Sequence, residues 1–533
     1  MAPKAAPCVE SQVLYRLADM RQINEPAFNK ALACDNLETV ELALINLGRI
    51  GDEQASNLIL PFLKHSNARV RETAAFALGI SLHKPATASL IEQLEQEKNS
   101  KVRAAMVLAI GNLGGENSVP TLARLIEQTE DAQVANAAMQ GLGIMSVFHR
   151  HLLTGDTEIE VARVIDRLRD KDTALKASFL LARVPLLRDP HVPEVISIVR
   201  DNNGSLDSAT QAFIIRALSK LGHKDITPLL VEKITSSDNA IQIAAAQALS
   251  IRTLTRTEHI QLLNDLALVE NPALQVTLLQ SGRRWMTPQT LKVLRDSDNT
   301  WVQSEAFLAT NDKAQPEVQK LVKAWLESDD PNHQRAVIQY FVELDMPPVL
   351  KQLAKSDKEI IRIGAQRALK TYQEPKTEPM ATPTELPFSL KEGPALVKLT
   401  TTQGDIIIRL FADTPYTSAN FLRLVESGFY ENTYFHRVIP NFVAQGGSQL
   451  GDGSGSVGYS IREELNQHSH RKGTIGMATA GKDTGGAQFF FNLAPNLHLD
   501  SNYTVFGEVV EGMDIVMSLE QNDQITQAEI IKN

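Results

Sequence analysis

A repeat of 31 or 32 residues in the first part of the chain restricts its fold more than any other feature of the sequence. The repeat is marked by four dipeptides, Leu47-Gly48, Leu78-Gly79, Ile110-Gly111 and Leu142-Gly143. Each dipeptide closes an alanine-rich segment with helical spacing, such as 70–78, and a second helix is indicated by the echo of 90–94 in 122–126. We interpret each glycine as the left-handed cap at the end of a helix. The period therefore predicts stacked pairs of helices.

Paired helices at this period resemble HEAT-like repeats of the short type. Tetratricopeptide repeats are similar in length but carry a Trp-Leu-Gly-Tyr pattern that is missing, and ankyrin units begin with Thr-Pro-Leu-His, which is also missing. About ten to twelve units fit into residues 1–372. The resemblance implies an all-α, right-handed superhelical solenoid whose concave face is an extended binding surface. A protein partner is expected on the solenoid, and which face it uses is open. A compact helical bundle without a binding role is the alternative, and residues 145–210 and 252–350 should hold irregular units or a bend.

Composition and charge agree with packed helices and argue against two classes of partner. The 533 residues are 43% hydrophobic but only 5% aromatic, so the apolar content is mostly aliphatic. A net charge of −10 argues against nucleic acid as a primary partner. No apolar run of about 18 residues is present, so no membrane span is predicted.

The start of the chain and the cysteine content bear on the compartment. The first residues lack the apolar core of a signal peptide. We therefore expect a cytoplasmic protein, with the periplasm or cell envelope as the alternative if a leader was removed. The two cysteines, Cys8 and Cys34, are too few for a disulfide framework and are expected to be free thiols.

The stretch 435–447, Phe-His-Arg-Val-Ile-Pro-Asn-Phe-Val-Ala-Gln-Gly-Gly, carries the clearest chemical signal. Alternation along a strand predicts that Phe435 and Arg437 point to the same side. The Pro-Asn pair then predicts a turn, after which Phe442 and Gln445 can converge with Arg437 on one patch. The plain alternative is a core strand with a solvated arginine.

This stretch resembles the signature of the cyclophilins, which are peptidyl-prolyl cis/trans isomerases. Segments 476–481, 485–491 and 499–514 match the family's later motifs in order and spacing. The resemblance covers roughly residues 394–533 and implies a closed eight-stranded β-barrel with two capping helices.

The resemblance also implies a site. Its catalytic residues are Arg437, Phe442 and Gln445. Its substrate-binding residues are Val443, Ala478, Thr479, Ala480, Gln488, Phe490, His498, Leu499 and Tyr503. By the match, Arg437 donates to the prolyl nitrogen of the twisted amide, an apolar pocket holds the proline ring, and small residues along the groove bind the peptide main chain. This chemistry needs no metal and no cofactor.

Four positions depart from the family's common pattern. Val443, Thr479, His498 and Tyr503 stand where methionine, asparagine, tryptophan and histidine, respectively, are common. None of the four removes the arginine or the ring pocket, so activity is still expected, whereas the substrate range is open.

Other motifs predict no further chemistry. The histidine pairs at 149 and 151 and at 468 and 470 lack a third ligand at metal-binding spacing. The glycine-rich run 451–458 has no Gly-Lys-Ser/Thr ending, so it is not a phosphate loop but a mobile loop beside the site.

A proline-rich segment separates the two parts. Prolines recur at every fourth position from 375 to 387, so residues 373–393 are predicted to form a semi-rigid linker that holds the isomerase away from the solenoid. We thus predict a solenoid over 1–372 and an isomerase domain over 394–533. The predicted function is a foldase that acts on proline-containing peptides and protein clients and carries a protein-binding scaffold. A scaffold that docks proline-containing segments without significant catalysis is the alternative.

Overall fold

A computed structural model describes residues 8–153, 159–201, 206–373, 378–380, 395–449, 453 and 457–531. The first part is helical throughout. Its helices are α1 (Ser11–Asp19), α2 (Glu25–Leu32), α3 (Leu37–Ile50), α4 (Glu53–Ile59), α5 (Ala68–Ile80), α6 (Ala86–Leu94), α7 (Ser100–Leu113), α8 (Ser118–Gln128), α9 (Ala132–Phe148), α10 (Val161–Asp166), α11 (Ala174–Arg183), α12 (Val192–Arg200), α13 (Ser208–Leu218), α14 (Ile226–Lys233), α15 (Asn239–Ser250), α16 (Thr257–Ala267), α17 (Pro272–Gly282), α18 (Pro288–Arg295), α19 (Thr300–Ala309), α20 (Pro316–Leu326), α21 (Pro331–Glu343), α22 (Pro347–Leu353) and α23 (Glu359–Ala368). None of these helices is long and apolar enough to cross a membrane, as far as the structure describes the chain.

The helices form a stacked array of pairs. Each even-numbered helix from α2 to α22 precedes an odd-numbered partner, which gives eleven pairs over the described residues and agrees with the predicted ten to twelve units. The odd-numbered helices pack on one another in chain order and form one inner layer. The step lengthens between the helices that begin at Ala132, Ala174 and Ser208, so the irregularity predicted for 145–210 is present.

The glycines that mark the repeat do not cap helices, contrary to our prediction. They are Gly48, Gly79, Gly111 and Gly143, and they lie inside α3, α5, α7 and α9. A Cβ atom at Gly111 would lie 2.5 Å from the Cα atom of Gly141 in the next inner helix. The left-handed caps are instead Gly51 and Gly114, with φ of 74° and 58°. The glycine period therefore reports the close approach of neighbouring inner helices.

An Asn or Asp begins most of the inner helices. Twelve residues before the four repeat glycines stand Asn36, Asn67, Asn99 and Asp131. Each of these side chains accepts a hydrogen bond from a main-chain amide in the first turn of its helix. This is the usual chemistry of an N-cap, and its recurrence at the repeat period is visible in the sequence.

Cys8 and Cys34 form a disulfide, so the prediction of free thiols is wrong. Cys8 precedes α1 and Cys34 follows α2, and their Cα atoms lie 5.8 Å apart. The bond joins residues 26 positions apart in the sequence. The hairpin formed by the first two helices is what brings them together.

The second part of the chain is a curled antiparallel sheet with two helices. Its strands are β1 (Glu378–Pro379), β2 (Leu396–Thr401), β3 (Gly404–Leu410), β4 (Thr433–Tyr434), β5 (Arg437–Ile439), β6 (Val443–Gly446), β7 (Tyr459–Ser460), β8 (Thr474–Met477), β9 (Phe489–Asn492), β10 (Val505–Glu511) and β11 (Gln524–Ile531). The helices are α24 (Pro415–Glu426) and α25 (Met513–Ser518).

The main sheet has the order β4-β11-β2-β3-β10-β8-β9-β6-β5. Strands β4 and β5 are the two halves of one bent segment, and a bridge from Tyr434 to Ser448 joins that segment to the chain after β6. Counted in this way, eight strands curl into a barrel, as predicted. Aromatic rings, including those of Phe421, Phe489 and Phe506, fill its interior.

The bend in this segment overturns one detail of the prediction. Phe435 lies in the barrel interior, with ring centroids 6.2 Å from Phe489 and 6.1 Å from Phe491, whereas Arg437 is exposed. Alternation fails because β4 pairs with β11 and β5 pairs with β6, so the strand is interrupted between them. The predicted turn is present, since Phe442 N donates to Ile439 O and Asn441 has a φ of 60°.

The barrel is not held away from the solenoid, so this part of the linker prediction is wrong. Most of the predicted linker lies outside the described residues, but β1 pairs in parallel with β7 on the barrel. Near the start of the inner layer, Arg49 of α3 donates to the carbonyl oxygens of Leu465 (3.1 Å) and Asp413 (2.9 Å). Near its end, Asn332 of α21 donates to the carbonyl oxygen of Gln521 (3.2 Å).

These contacts require the inner layer to curve. On a straight line, the layer from α3 to α21 would extend about 70–90 Å at 8–10 Å per helix. A folded unit of the barrel's length is only about 35–40 Å across. Because both ends of the layer touch the barrel, the layer must bend around it, and the barrel occupies the concave side.

Candidate active site

Four neighbouring strands place the key residues in one row on the outer face of the barrel. Arg437 on β5 pairs with Gln445 on β6, which pairs with Phe490 on β9, which pairs with Gly476 on β8. A Cβ atom at Gly476 would lie 2.4 Å from the ring of Phe490. Glycine is therefore what leaves room for this ring on the outside of the barrel.

An apolar pocket adjoins this row. Val443, Phe490 and Leu499 are only 3%, 5% and 8% exposed and form a cluster separate from the barrel core. Phe442, Ala478 and Tyr503 pack around it and are partly buried. The pocket thus joins the four residues expected to hold a proline ring, Phe442, Val443, Phe490 and Leu499.

Arg437 lies at the edge of the pocket and is connected to a chain of side-chain amides. Its Nη1 donates to Gln445 Oε1 at 3.4 Å, and its guanidinium carbon lies 5.7 Å from the centre of the Phe442 ring. Gln445 Nε2 donates to Gln488 Oε1 (3.0 Å), and Gln488 Nε2 donates to Gly453 O (2.9 Å). Although Arg437 is exposed overall, burial of part of its guanidinium by surrounding protein atoms lowers its pKa. A guanidinium nevertheless remains charged at physiological pH.

The segment with small side chains borders the same site. Ala478 N donates to Gln488 O at 3.0 Å, and Ala480 N donates to Thr484 Oγ1 at 2.9 Å. Ala478 and Thr479 are half-buried and Ala480 is exposed. The main-chain amides of the two alanines are therefore engaged within the barrel.

Gly453 belongs to the glycine-rich run 451–458. Only residues 453, 457 and 458 of that run are described, so the predicted mobile loop lies largely outside the described residues.

His498 connects the pocket to the solenoid, which the sequence did not predict. Its ring stacks on Phe442 with centroids 5.8 Å apart and an interplanar angle of 17°. From the solenoid, Arg183 Nη2 at the end of α11 lies 2.8 Å from His498 Nδ1. Burial, with a further contribution from Arg183, lowers the pKa of His498 to about 3. The ring is therefore neutral and can accept the hydrogen bond from the guanidinium.

Three further residues support the site and were missed or interpreted differently. Asn496 Nδ2 donates to Phe442 O at 2.9 Å. Asn441, in the turn before the pocket, donates to Ala240 O of the solenoid at 2.8 Å. His470 is fully buried, stacks on Phe490 at 5.8 Å, and places its Nδ1 3.3 Å from Asp500 Oδ1, so it supports the wall of the pocket. No sequence motif indicated the two asparagine contacts, because their partners are main-chain carbonyls.

No group of three or more His, Cys, Asp or Glu side chains that could hold a metal ion occurs in the described ranges. His149, one of the histidines considered as a ligand, instead bonds to Asn112 O at 2.7 Å between two helix ends.

Comparison with known proteins matches the two parts of the chain to two different families. A family model for cyclophilin type peptidyl-prolyl cis-trans isomerases matches residues 396–533, and one for HEAT repeats matches 87–182, 192–275 and 287–370. The peptidyl-prolyl cis-trans isomerase of Synechococcus elongatus is 44% identical over 136 residues, which are 25% of this chain and 94% of that protein. Peptidyl-prolyl cis-trans isomerase B of Bacillus subtilis is 45% identical over 118 residues, 22% of this chain and 82% of that protein. A crystal structure of a cyclophilin-type isomerase from Cryptosporidium parvum matches 26% of this chain and 99% of its own, with 29% identity and a TM-score of 0.25.

Proposed function

Because the chain belongs to the cyclophilin-type peptidyl-prolyl cis-trans isomerase family, we propose that its barrel accelerates rotation about X–Pro bonds with Arg437 as the catalytic donor. One observation carries this assignment. A permanent cation with several N–H donors stands at the edge of an apolar cluster of Val443, Phe490 and Leu499, whose side chains are at most 8% exposed. A core strand with a merely solvated arginine would not be expected to place a cation beside a buried apolar cluster.

The chemistry follows from the electronic structure of the amide. Resonance gives the C–N bond a rotational barrier of about 18–20 kcal/mol, so an X–Pro bond flips in tens to hundreds of seconds unaided. In the twisted transition state, the prolyl nitrogen regains a lone pair that can accept a hydrogen bond. A donor from Arg437 therefore stabilises the transition state more than either planar state. An acceleration of about five decades requires about 7 kcal/mol.

The surrounding residues would hold the substrate for this step. The ring pocket of Phe442, Val443, Phe490 and Leu499 anchors the proline side and excludes water, so that the carbonyl side rotates. Gln445 holds the Arg437 guanidinium in place. Since the amides of Ala478 and Ala480 are engaged within the barrel, main-chain recognition along this segment would rest on its carbonyl groups.

The test is an isomerisation assay on a short Ala-Pro peptide with the whole chain. We expect catalytic amounts of the protein to raise the cis-to-trans rate constant, measured by magnetisation exchange in NMR so that no coupling protease is needed. If the peptide binds without any gain in rate, the barrel is a docking module for proline-containing segments.

We further propose that the helical-repeat part positions protein clients for the barrel. The HEAT-type repeats form a curved layer with the barrel on its concave side, and contacts from α11 and α15 reach the edge of the ring pocket. A client bound in the ring pocket would therefore also lie close to α11 and α15.

The compartment of the protein is best proposed from its cysteines. A disulfide between Cys8 and Cys34 is typical of an oxidising environment. We propose an oxidising compartment, such as the periplasm or cell envelope, rather than the cytoplasm. Thiol titration of protein isolated from its natural cells tests this: fully alkylated cysteines without prior reduction would support the cytoplasm instead.

A further inference from the structure

A basic cavity on the solenoid lies directly behind the ring pocket. It has a volume of about 390 Å³ and is formed where α9, α11 and α13 end. Five of its lining residues are basic: Arg150, Arg183, Arg188, Arg216 and Lys220. None of the described residues that line it is acidic.

The positive charge of this cavity is not balanced within the described part of the chain. None of the five basic side chains forms an ion pair with a described residue. Three helix ends supply about half a negative charge each, or roughly −1.5 in all, against five positive charges. The cluster is also unusual because the whole chain carries a net charge of −10.

Two observations indicate that the central arginine is held in place rather than solvated. Arg183 is largely withdrawn from solvent, and its Nε is buried without a hydrogen-bond partner. Burial, together with repulsion from Arg216, lowers its pKa to about 10. Burial also lowers the pKa of Lys220, and so does repulsion from Arg216 and Arg183. Its Nζ donates a hydrogen bond to Ala182 O. Like charges are thus kept together at a cost, which an anionic ligand would relieve.

The cavity is connected to the isomerase site by direct contacts. Arg183 touches His498, His498 stacks on Phe442, and the Phe442 ring lies beneath Arg437. This path is at most about 15 Å long, which an extended peptide crosses in about four or five residues. One peptide can therefore occupy the ring pocket and reach the basic cavity.

We propose that this cavity is an acidic-side-chain subsite of the isomerase, which binds Asp or Glu residues about four to six positions from the proline of a client. The proposal rests on the isomerase function above, because it assigns the client's position by the proline pocket. It makes the solenoid a determinant of specificity: among exposed X–Pro bonds, those with an acidic segment nearby are bound first.

The experiment uses the whole chain and two pairs of labelled peptides with one Ala-Pro bond each. Within a pair, three Glu residues replace three Gln residues, four to six positions before the proline in one pair and after it in the other. We expect one Glu peptide to bind at least fivefold more tightly than its Gln partner at 50 mM NaCl, measured by fluorescence anisotropy. The difference should shrink at 500 mM NaCl because salt screens charges at this distance.

Matched charge reversals identify the site. Arg216→Glu should reduce the preference to less than twofold. Lys224→Glu makes the same change of charge at an exposed position four residues from Lys220 and outside the cavity, and it should leave the preference in place. Equal binding of Glu and Gln peptides in both pairs, or an equal loss in the two variants, would overturn the proposal.

Isomerisation of the same peptides separates this proposal from the function it rests on. A preference in binding that depends on Arg216, without acceleration of any peptide, would retain the subsite and overturn the isomerase assignment. Acceleration of all four peptides at equal kcat/KM would retain the isomerase and overturn the subsite.

Discussion

Arg437 brings a permanent charge with several donors to the edge of the ring pocket. Its guanidinium is oriented by Gln445 and by the face of Phe442, at 3.4 Å and 5.7 Å. Hydrogen bonds that involve a charged group contribute about 1.5–3 kcal/mol. At the edge of an apolar pocket, loss of the hydrogen bond from Arg437 should destabilise the transition state more than the bound ground state.

We therefore expect Arg437→Ala to lower kcat/KM at least tenfold on an Ala-Pro peptide. Arg437→Lys should recover part of the loss, since it restores the charge but not the fork of donors. Arg471→Ala removes an exposed arginine of the same barrel and serves as the control. Full activity of the alanine variant, with unchanged circular dichroism, would contradict the mechanism.

Glu464 is a second residue whose environment has a measurable consequence. Its side chain is buried against the first turn of α24, where it accepts hydrogen bonds from Tyr416 N (3.2 Å) and Thr417 N (2.7 Å). Burial raises its pKa to about 7, although Arg49 of the solenoid acts in the opposite direction. Because the folded pKa lies above the unfolded one, the carboxyl's contribution to stability is complete below about pH 4.5 and is lost as the pH rises through about 7.

The variant Glu464→Gln cannot ionise and should not lose this contribution. We expect its melting temperature, relative to that of the wild type, to rise by on the order of 5 °C between pH 5 and pH 8. Glu529→Gln, at an exposed position on β11, should show no such trend. A difference that is constant with pH, measured by differential scanning fluorimetry, would show that Glu464 keeps an ordinary pKa.

Among the helices, packing of the inner layer depends on glycines where neighbouring backbones meet. A Cβ atom at Gly111 would meet backbone atoms of Gly141 at 2.5–3.2 Å, and backbone cannot move aside as a flexible side chain can. Overpacking of this kind costs about 1–3 kcal/mol. Alanine's better helix propensity offsets only about 1 kcal/mol of that.

Gly111→Ala should therefore lower the midpoint of urea unfolding, whereas Gly222→Ala should not. Gly222 is exposed, and a Cβ atom there would meet nothing within 4 Å. The pair separates a clash from the general effect of adding a methyl group. An unchanged or higher midpoint for Gly111→Ala would mean that the inner helices can move apart without cost.

The disulfide stabilises the first two helices, which begin the array and have only one neighbour in the stack. Closing a loop of this length removes about 3–4 kcal/mol of chain entropy from the unfolded state. We expect a reducing agent to lower the first melting transition of the wild type and to leave that of the double variant Cys8→Ser, Cys34→Ser unchanged. A wild type that is insensitive to reduction would contradict this role.

At the scale of the whole molecule, the two parts form one assembly rather than two units on a tether. Contacts with the barrel come from α3, α9, α11, α15 and α21. Arg49 is 5% exposed, and its guanidinium donates to three barrel carbonyl groups. A buried charge with such partners is costly to remove.

Expressed as separate chains, residues 1–380 and 395–533 should therefore co-purify as a one-to-one complex. Arg49→Ala should weaken the complex at least tenfold by isothermal titration calorimetry. Arg69→Ala, at an exposed ion pair with Glu41 on the neighbouring inner helix, should not. If the two wild-type pieces elute independently at micromolar concentration, the docking is contradicted and the tethered arrangement predicted from the proline-rich segment is supported.

The sequence by itself predicted both folds and named the residues that the structure brings together in the candidate site, whose catalytic and binding roles stay predictions. Helix pairs follow from a period that is repeated many times, so an error in one unit does not change the result. Arg437, Phe442, Val443 and Gln445 come from one local motif, which the sequence shows directly. Phe490 joins them only through the pairing of β6 with β9.

Only the tertiary structure decided what depends on contacts between distant parts of the chain. The Cys8–Cys34 bond, the close approach at Gly111 and the placement of Phe435 inside the barrel each require a partner that the local pattern does not name. The docking of Arg183 on His498 is the furthest case, since these residues are 315 positions apart. Periodicity and propensity describe neighbours along the chain, whereas the curvature of the solenoid, summed over many small rotations between repeats, brings its helices to the barrel.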